Sequence, residues 1–107
     1  MADANGLDLH KHPQSYVIEK LKSHDIVFLG TTHMKEAILK FIADLIPRLH
    51  EAGTTHLGLE IFSDQQGKID SFIQTGNGLT DIVLHPQIDC PEYRSLFTAV
   101  RSVDKAK

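Results

Sequence analysis

Cysteine is nearly absent from this chain, since Cys90 is the only one among 107 residues. A single thiol excludes a disulfide within the chain and a zinc site built on several cysteines. Tryptophan is missing altogether, and only two tyrosines are present. A surface that stacks nucleic-acid bases on aromatic rings is therefore not expected.

An excess of basic residues is also missing. Eleven Lys and Arg stand against fourteen Asp and Glu, which gives a formal net charge of -3. The basic residues are scattered along the chain and form no stripe. Because attraction to a phosphate backbone needs clustered positive charge, we expect no nucleic-acid partner.

Long apolar runs are the third absence. No window approaches the roughly 20 apolar residues of a membrane-spanning helix. The polar stretch 1–12 lacks the apolar core of a secretory signal. We therefore expect no membrane partner and a cytoplasmic protein. Residues 1–12 are predicted to be a flexible tail, and residues 13–107 a single α/β domain.

Two short apolar runs flank one amphipathic helix in the sequence. Residues 26–29 and 57–61 are predicted to be strands, because short, partly β-branched apolar runs are typical of buried parallel strands. A strand, a helix and a second strand make a right-handed crossover, which predicts a parallel-sheet βαβ unit with flanking helices. Spacings of three and four place six apolar residues on one face of the central helix: Ile38, Phe41, Ile42, Leu45, Ile46 and Leu49.

Other elements follow from local signals. Further helices are predicted from Pro13 and over residues 64–75 and 92–103. For the central helix, Thr31 or Thr32 is expected to cap the start, Pro47 to kink the last turn or end it early, and Gly53 to stop it in a left-handed conformation.

The predicted sheet is too small to stand alone. Residues 82–84 are a candidate third strand, and a sheet buried on both faces needs more than two. We therefore expect an incomplete or truncated domain. An open sheet edge would invite pairing with another copy, so a homo-oligomer is expected.

The stretch FLGTTH, at residues 28–33, predicts a ligand site, because ligands of open α/β sheets lie outside the carboxyl ends of the strands. Gly30 lets the backbone approach a ligand, and the hydroxyls of Thr31 and Thr32 can bind a ligand or cofactor. His33 lies near the start of a helix, where the helix dipole favours its neutral form.

Glu60 lies at the end of the second predicted strand, inside an apolar run where an unpaired acid is costly to bury. Neighbouring parallel strands lie about 4.8 Å apart, so His33 and Glu60 are predicted to share one site. Together they suit a divalent metal or acid and base catalysis. Each also has a plain alternative, as a helix cap or as a partner of a neighbouring loop. His85, before a proline, is predicted to be a surface histidine.

The stretches IVFLGTTH, HLGLEIF and DQQGKIDSFIQTG resemble the haem-uptake and Tiki superfamily, which includes ChaN-like haem-binding, erythromycin-esterase-like and TraB-like proteins. The likeness covers about residues 14–103. It implies an α/β fold and site roles for His33 and Glu60. This chain departs from the family at Thr31, where members usually carry a glutamate near the histidine. Family domains are also longer than this chain.

Three functions remain open from the sequence. The first is a ligand- or metal-binding, hydrolase-like domain for a small molecule, in which His33 and Glu60 are metal ligands or catalytic acid and base. The second is a non-catalytic haem-binding protein of the ChaN-like type. The third is a partial domain that persists through association.

Overall fold

The described part of the protein is all-helical. The computed structural model describes residues 11–29 and 35–105, and within these ranges the chain forms four α-helices and two short 3-10 helices. The α-helices are α1 (Pro13–Ser23), α2 (Glu36–Glu51), α3 (Gln66–Thr75) and α4 (Pro91–Lys105). The 3-10 helices are Ser63–Gln65 and Leu79–Asp81.

The predicted parallel-sheet βαβ unit is wrong. None of the described residues forms a strand, and the segments 26–29 and 57–61 exchange no backbone hydrogen bonds with each other. In the first segment, Ile26 is 69% exposed and Phe28 is 91% exposed, so these apolar side chains are not covered as those of a buried strand would be. A pair of short strands without further strands is only marginally stable, and the helices supply the core instead. The described residues form no sheet and therefore show no open sheet edge. The predicted homo-oligomer stays a prediction.

The largest interface joins α2 to α4, and α3 packs on α4. The predicted apolar face of α2 is largely confirmed, although Leu39 replaces Ile38 and Phe41 among its buried members. Burial of a large aliphatic side chain contributes about 1.5–3 kcal/mol, so this interface supplies much of the stability. The main core consists of the buried residues Leu39, Ile42, Ile46, Phe72, Ile82, Leu84, Ile88, Tyr93, Leu96 and Phe97.

A smaller cluster attaches α1 to the outer side of α2. Val17, Leu45 and Leu49 are its buried members, and Leu45 has no exposed surface. Hydrogen bonds from the Arg48 guanidinium to the side chains of Gln14 and Ser15, at 3.0 and 3.4 Å, lie at its exposed rim.

The helix boundaries can be compared with those predicted from local sequence signals. Gly53 adopts φ +98° after α2, as predicted. The helix continues through Pro47 to Glu51, so the early end is wrong, and its N-cap is Lys35 rather than Thr31 or Thr32. Gly76 closes α3 with φ +78°, a left-handed conformation that favours glycine.

Residues 82–84 alternate between buried and exposed as a strand would, but pair with no neighbour. Ile82 and Leu84 are buried in the main core, whereas Val83 is 51% exposed. The candidate third strand is thus an extended loop that lines the core. This loop leads directly to His85.

Among residues 11–29 and 35–105, no helix combines the length and the apolar character needed to cross a bilayer.

Candidate functional site

Glu60 lies in the loop between α2 and α3, at the centre of a three-residue turn. The turn is closed by the Ile61 N–H, which donates to the Leu59 carbonyl oxygen at 3.0 Å. Leu59 and Ile61 pack against the main core, while Glu60 is exposed. The apolar neighbours therefore anchor the turn, and the carboxylate projects from it.

The other predicted site residues cannot be placed beside it. Gly30, Thr31, Thr32 and His33 lie outside the described residues. The predicted convergence of His33 with Glu60 therefore stays a prediction.

Glu60 opens onto a cleft with a volume of about 310 Å³. One wall is formed by residues 59–62, and the other by His85, Gln87 and Ile88. The volume lies at the lower end of the range of small-molecule sites, about 300–1,000 Å³. The cleft combines apolar walls with one carboxylate and one imidazole, which is the usual composition of such a site.

His85 is held by its own loop. Its carbonyl oxygen accepts hydrogen bonds from the N–H groups of Ile88 and Asp89, at 2.9 and 3.0 Å. The Gln87 N–H donates to His85 Nδ1 at 3.1 Å. A backbone N–H only donates, so Nδ1 is the acceptor and the ring proton is on Nε2. His85 therefore offers the cleft a hydrogen-bond donor.

Phe62 is the second ring of the cleft. It is 50% exposed. The centroids of the Phe62 and His85 rings lie 6.4 Å apart, and the ring planes are inclined by 51°. This is a contact distance for an aromatic pair, so Phe62 on one wall steadies the His85 ring on the other.

Two polar contacts hold the His85 loop to the helical core. Gln65, a buried polar residue, accepts a hydrogen bond from the Val83 N–H at 2.8 Å. Arg94 on α4 donates to the Leu79 carbonyl oxygen at 2.6 Å and to Asp89 Oδ1 at 3.1 Å. These contacts fix the loop before and after His85, so the cleft is largely preformed.

Tyr93 on α4 supports the wall that carries Glu60. Burial raises the pKa of the Tyr93 phenol above its ordinary value of 10.0. A hydrogen bond with the Glu60 backbone lowers this pKa in part, and the negative charge of Glu60 raises it further. Packed edge-on against Phe97 at 6.3 Å, Tyr93 links the Glu60 turn to the core.

Replacing Tyr93 by phenylalanine tests this link. We expect Y93F to lose about 1 kcal/mol of stability near neutral pH, because the Glu60 backbone loses its partner. Above pH 10 the unfolded chain releases its phenol proton while the folded protein still holds it, so wild-type stability falls as pH rises. The difference in the free energy of unfolding between wild type and Y93F should therefore be smaller above pH 10 than near neutral pH. Urea unfolding at pH 8 and pH 11 measures this difference, and an equal difference at both pH values would contradict a raised pKa at Tyr93.

The described residues do not by themselves fit a metal or a haem. No three His, Cys, Asp or Glu side chains in the described ranges converge as metal donors. The metal prediction for His33 and Glu60 and the haem prediction therefore stay predictions.

A second cleft, of about 170 Å³, lies between the C-terminal ends of α2 and α4, with His50 and His56 at its rim. The Nδ1 atom of His56 is hydrogen-bonded to Thr55 Oγ1 at 2.7 Å. This cleft is well below the usual size of a ligand site. The cleft of Glu60 is the better candidate.

Comparison with known proteins adds no assignment: no family model matches the chain, and neither a curated protein nor a solved structure does. The resemblance to the haem-uptake and Tiki superfamily therefore stays a prediction.

The prediction of His85 as a surface residue is confirmed, because its side chain is exposed. The sequence did not indicate that His85 lines the same cleft as Glu60. The alternation of buried Ile82 and Leu84 with exposed Val83 was the available signal, since it fixes the segment that carries His85 against the core.

Proposed function

We propose that the protein binds a small carboxylic ester in the cleft of Glu60 and His85 and acts on it as a hydrolase. The observation that carries this proposal is that Glu60 and His85 line the same largely apolar cleft, with the His85 ring proton on Nε2. The resemblance of HLGLEIF to the haem-uptake and Tiki superfamily supports a site role for Glu60. A cytoplasmic location is part of the same proposal.

The two groups have complementary roles in ester hydrolysis. The Glu60 carboxylate takes a proton from a water molecule as its oxygen attacks the ester carbonyl carbon. The carbonyl oxygen gains the electron pair of the C=O bond, and His85 Nε2–H donates a hydrogen bond to it. When the C=O bond re-forms, the C–O bond to the alcohol breaks, and the alkoxide takes the proton held by Glu60.

Two substitutions of His85 test its proposed role as hydrogen-bond donor to the ester carbonyl oxygen. H85F keeps an aromatic ring beside Phe62 but removes the donor, and we expect kcat for activated nitrophenyl esters to fall about 10²- to 10³-fold. H85Q retains an amide N–H near the position of Nε2 and should recover part of the rate. Initial rates on purified protein measure both variants.

The result that overturns the proposal is equally specific. If H85F turns over the esters as fast as wild type, His85 does not stabilise the reacting oxygen. The amide NMR spectrum of each variant serves as the folding control.

A further inference from the structure

The size of the cleft of Glu60 limits the size of its ligand. Its volume of about 310 Å³ equals that of roughly ten water molecules, since each occupies about 30 Å³ in the liquid. A ligand that fills the cleft therefore has on the order of ten non-hydrogen atoms. A single six-membered ring with a short ester group has this size, whereas a long acyl chain exceeds it.

The walls of the cleft favour an uncharged ligand with apolar surface. Leu59, Ile61 and Ile88 give the cleft aliphatic sides. Among the described residues that line it, none is a lysine or an arginine. An anionic group on the ligand would therefore be buried without a cationic partner, which is costly. The part of the ligand that lies beyond the ester group is accordingly an uncharged, apolar group.

Phe62 determines the shape of that apolar group. Its ring lines the cleft and is 50% exposed, so aromatic surface is available for contact. The centroids of the Phe62 and His85 rings lie 6.4 Å apart. A group attached to a carbonyl that accepts from His85 Nε2–H is therefore within reach of the Phe62 ring. A flat ring in that place forms an aromatic pair, which contributes more than the burial of its area alone.

We propose that the cleft selects esters of aromatic carboxylic acids with short alcohols, and that Phe62 is the residue that recognises the aromatic ring. The inference rests on the proposed function, because it concerns the same site and narrows the substrate class. Esters of saturated acids of equal size fill the same space but lack the flat surface that pairs with Phe62.

Two ketones test this recognition without a chemical step. Acetophenone carries a flat aromatic ring on its carbonyl, whereas cyclohexyl methyl ketone carries a puckered ring and has the same number of non-hydrogen atoms. Amide NMR titration of isotope-labelled protein gives the Kd of each ketone from the shifts of residues 59–62 and 87–88. We expect acetophenone to bind about two- to tenfold more tightly, which is the contribution of an aromatic pair.

Two phenylalanine variants then assign the preference to one ring. F62L keeps an apolar side chain but removes the ring, and it should bring the two Kd values together. The ratio of the Kd values is the informative quantity, because a loosened His85 would weaken both ketones alike. F28L makes the same change at Phe28, which is 91% exposed and outside the lining of the cleft, and it should leave the ratio unchanged.

Failure of this inference is distinguishable from failure of the proposed function. If the two ketones bind equally, or if F62L keeps the preference, Phe62 does not select the ligand and the inference is wrong. If neither ketone shifts the amides of either wall, the inference is wrong as well. Hydrolysis of nitrophenyl esters by the wild type and its loss in H85F decide separately whether the proposed function stands.

Discussion

Replacing Glu60 by glutamine is expected to reduce ester hydrolysis about 10²- to 10⁴-fold, the usual contribution of a general base. Glutamine matches glutamate in size, so the Leu59 and Ile61 anchors of the turn and the hydrogen bond with Tyr93 remain. The loss should appear in kcat rather than in KM for neutral esters, because the proton is transferred only during reaction.

The measurement is a comparison of kcat for E60Q, E51Q and wild type on the same nitrophenyl ester. E51Q controls for the change in net charge and should keep the wild-type rate. Equal rates for E60Q and wild type would remove Glu60 from the mechanism. A loss of rate accompanied by a lowered urea midpoint would instead assign Glu60 a structural role.

Replacing Leu96 by alanine is expected to destabilise the protein by about 2–5 kcal/mol. Leu96 is only 1% exposed and lies on α4 within the main core. Truncation removes transfer free energy and leaves a cavity that packed helices fill incompletely. A loss of this size is a large part of the stability of a small domain.

Leu57 provides the matched control. It is 40% exposed, so the same change to alanine, L57A, should cost about 1 kcal/mol or less. Urea unfolding followed by far-UV circular dichroism gives both values from the midpoint and slope. A cost for L57A equal to that for L96A would mean that the loop before Glu60 is buried, contrary to the helical packing described above.

The sequence predicted the helices much better than it predicted their assembly. The periodicity of Ile42, Leu45 and Leu49 located α2, because one-sided burial is visible in the spacing of apolar residues. Gly53 marked the end of α2, since few other residues adopt a positive φ. These signals are local and do not depend on the partner.

The strand predictions were wrong because a strand depends on its partner. A short apolar run such as residues 26–29 indicates only apolar side chains, and it forms a strand only if another backbone pairs with it. The position of His85 at the cleft of Glu60 also depends on contacts that no local sequence pattern shows. Glu60 was noticeable as an acid inside an apolar run, whereas His85 gains its position from Gln65 and Arg94, which are remote from it in sequence.

The division of the core into two clusters has a consequence for motion. Contact of α1 with the rest of the protein centres on Val17, Leu45 and Leu49, a group separate from the one that joins α2, α3 and α4. Detachment of α1 would therefore leave the main core and the cleft of Glu60 intact. The first helix can thus open and reclose while Glu60 and His85 stay in place.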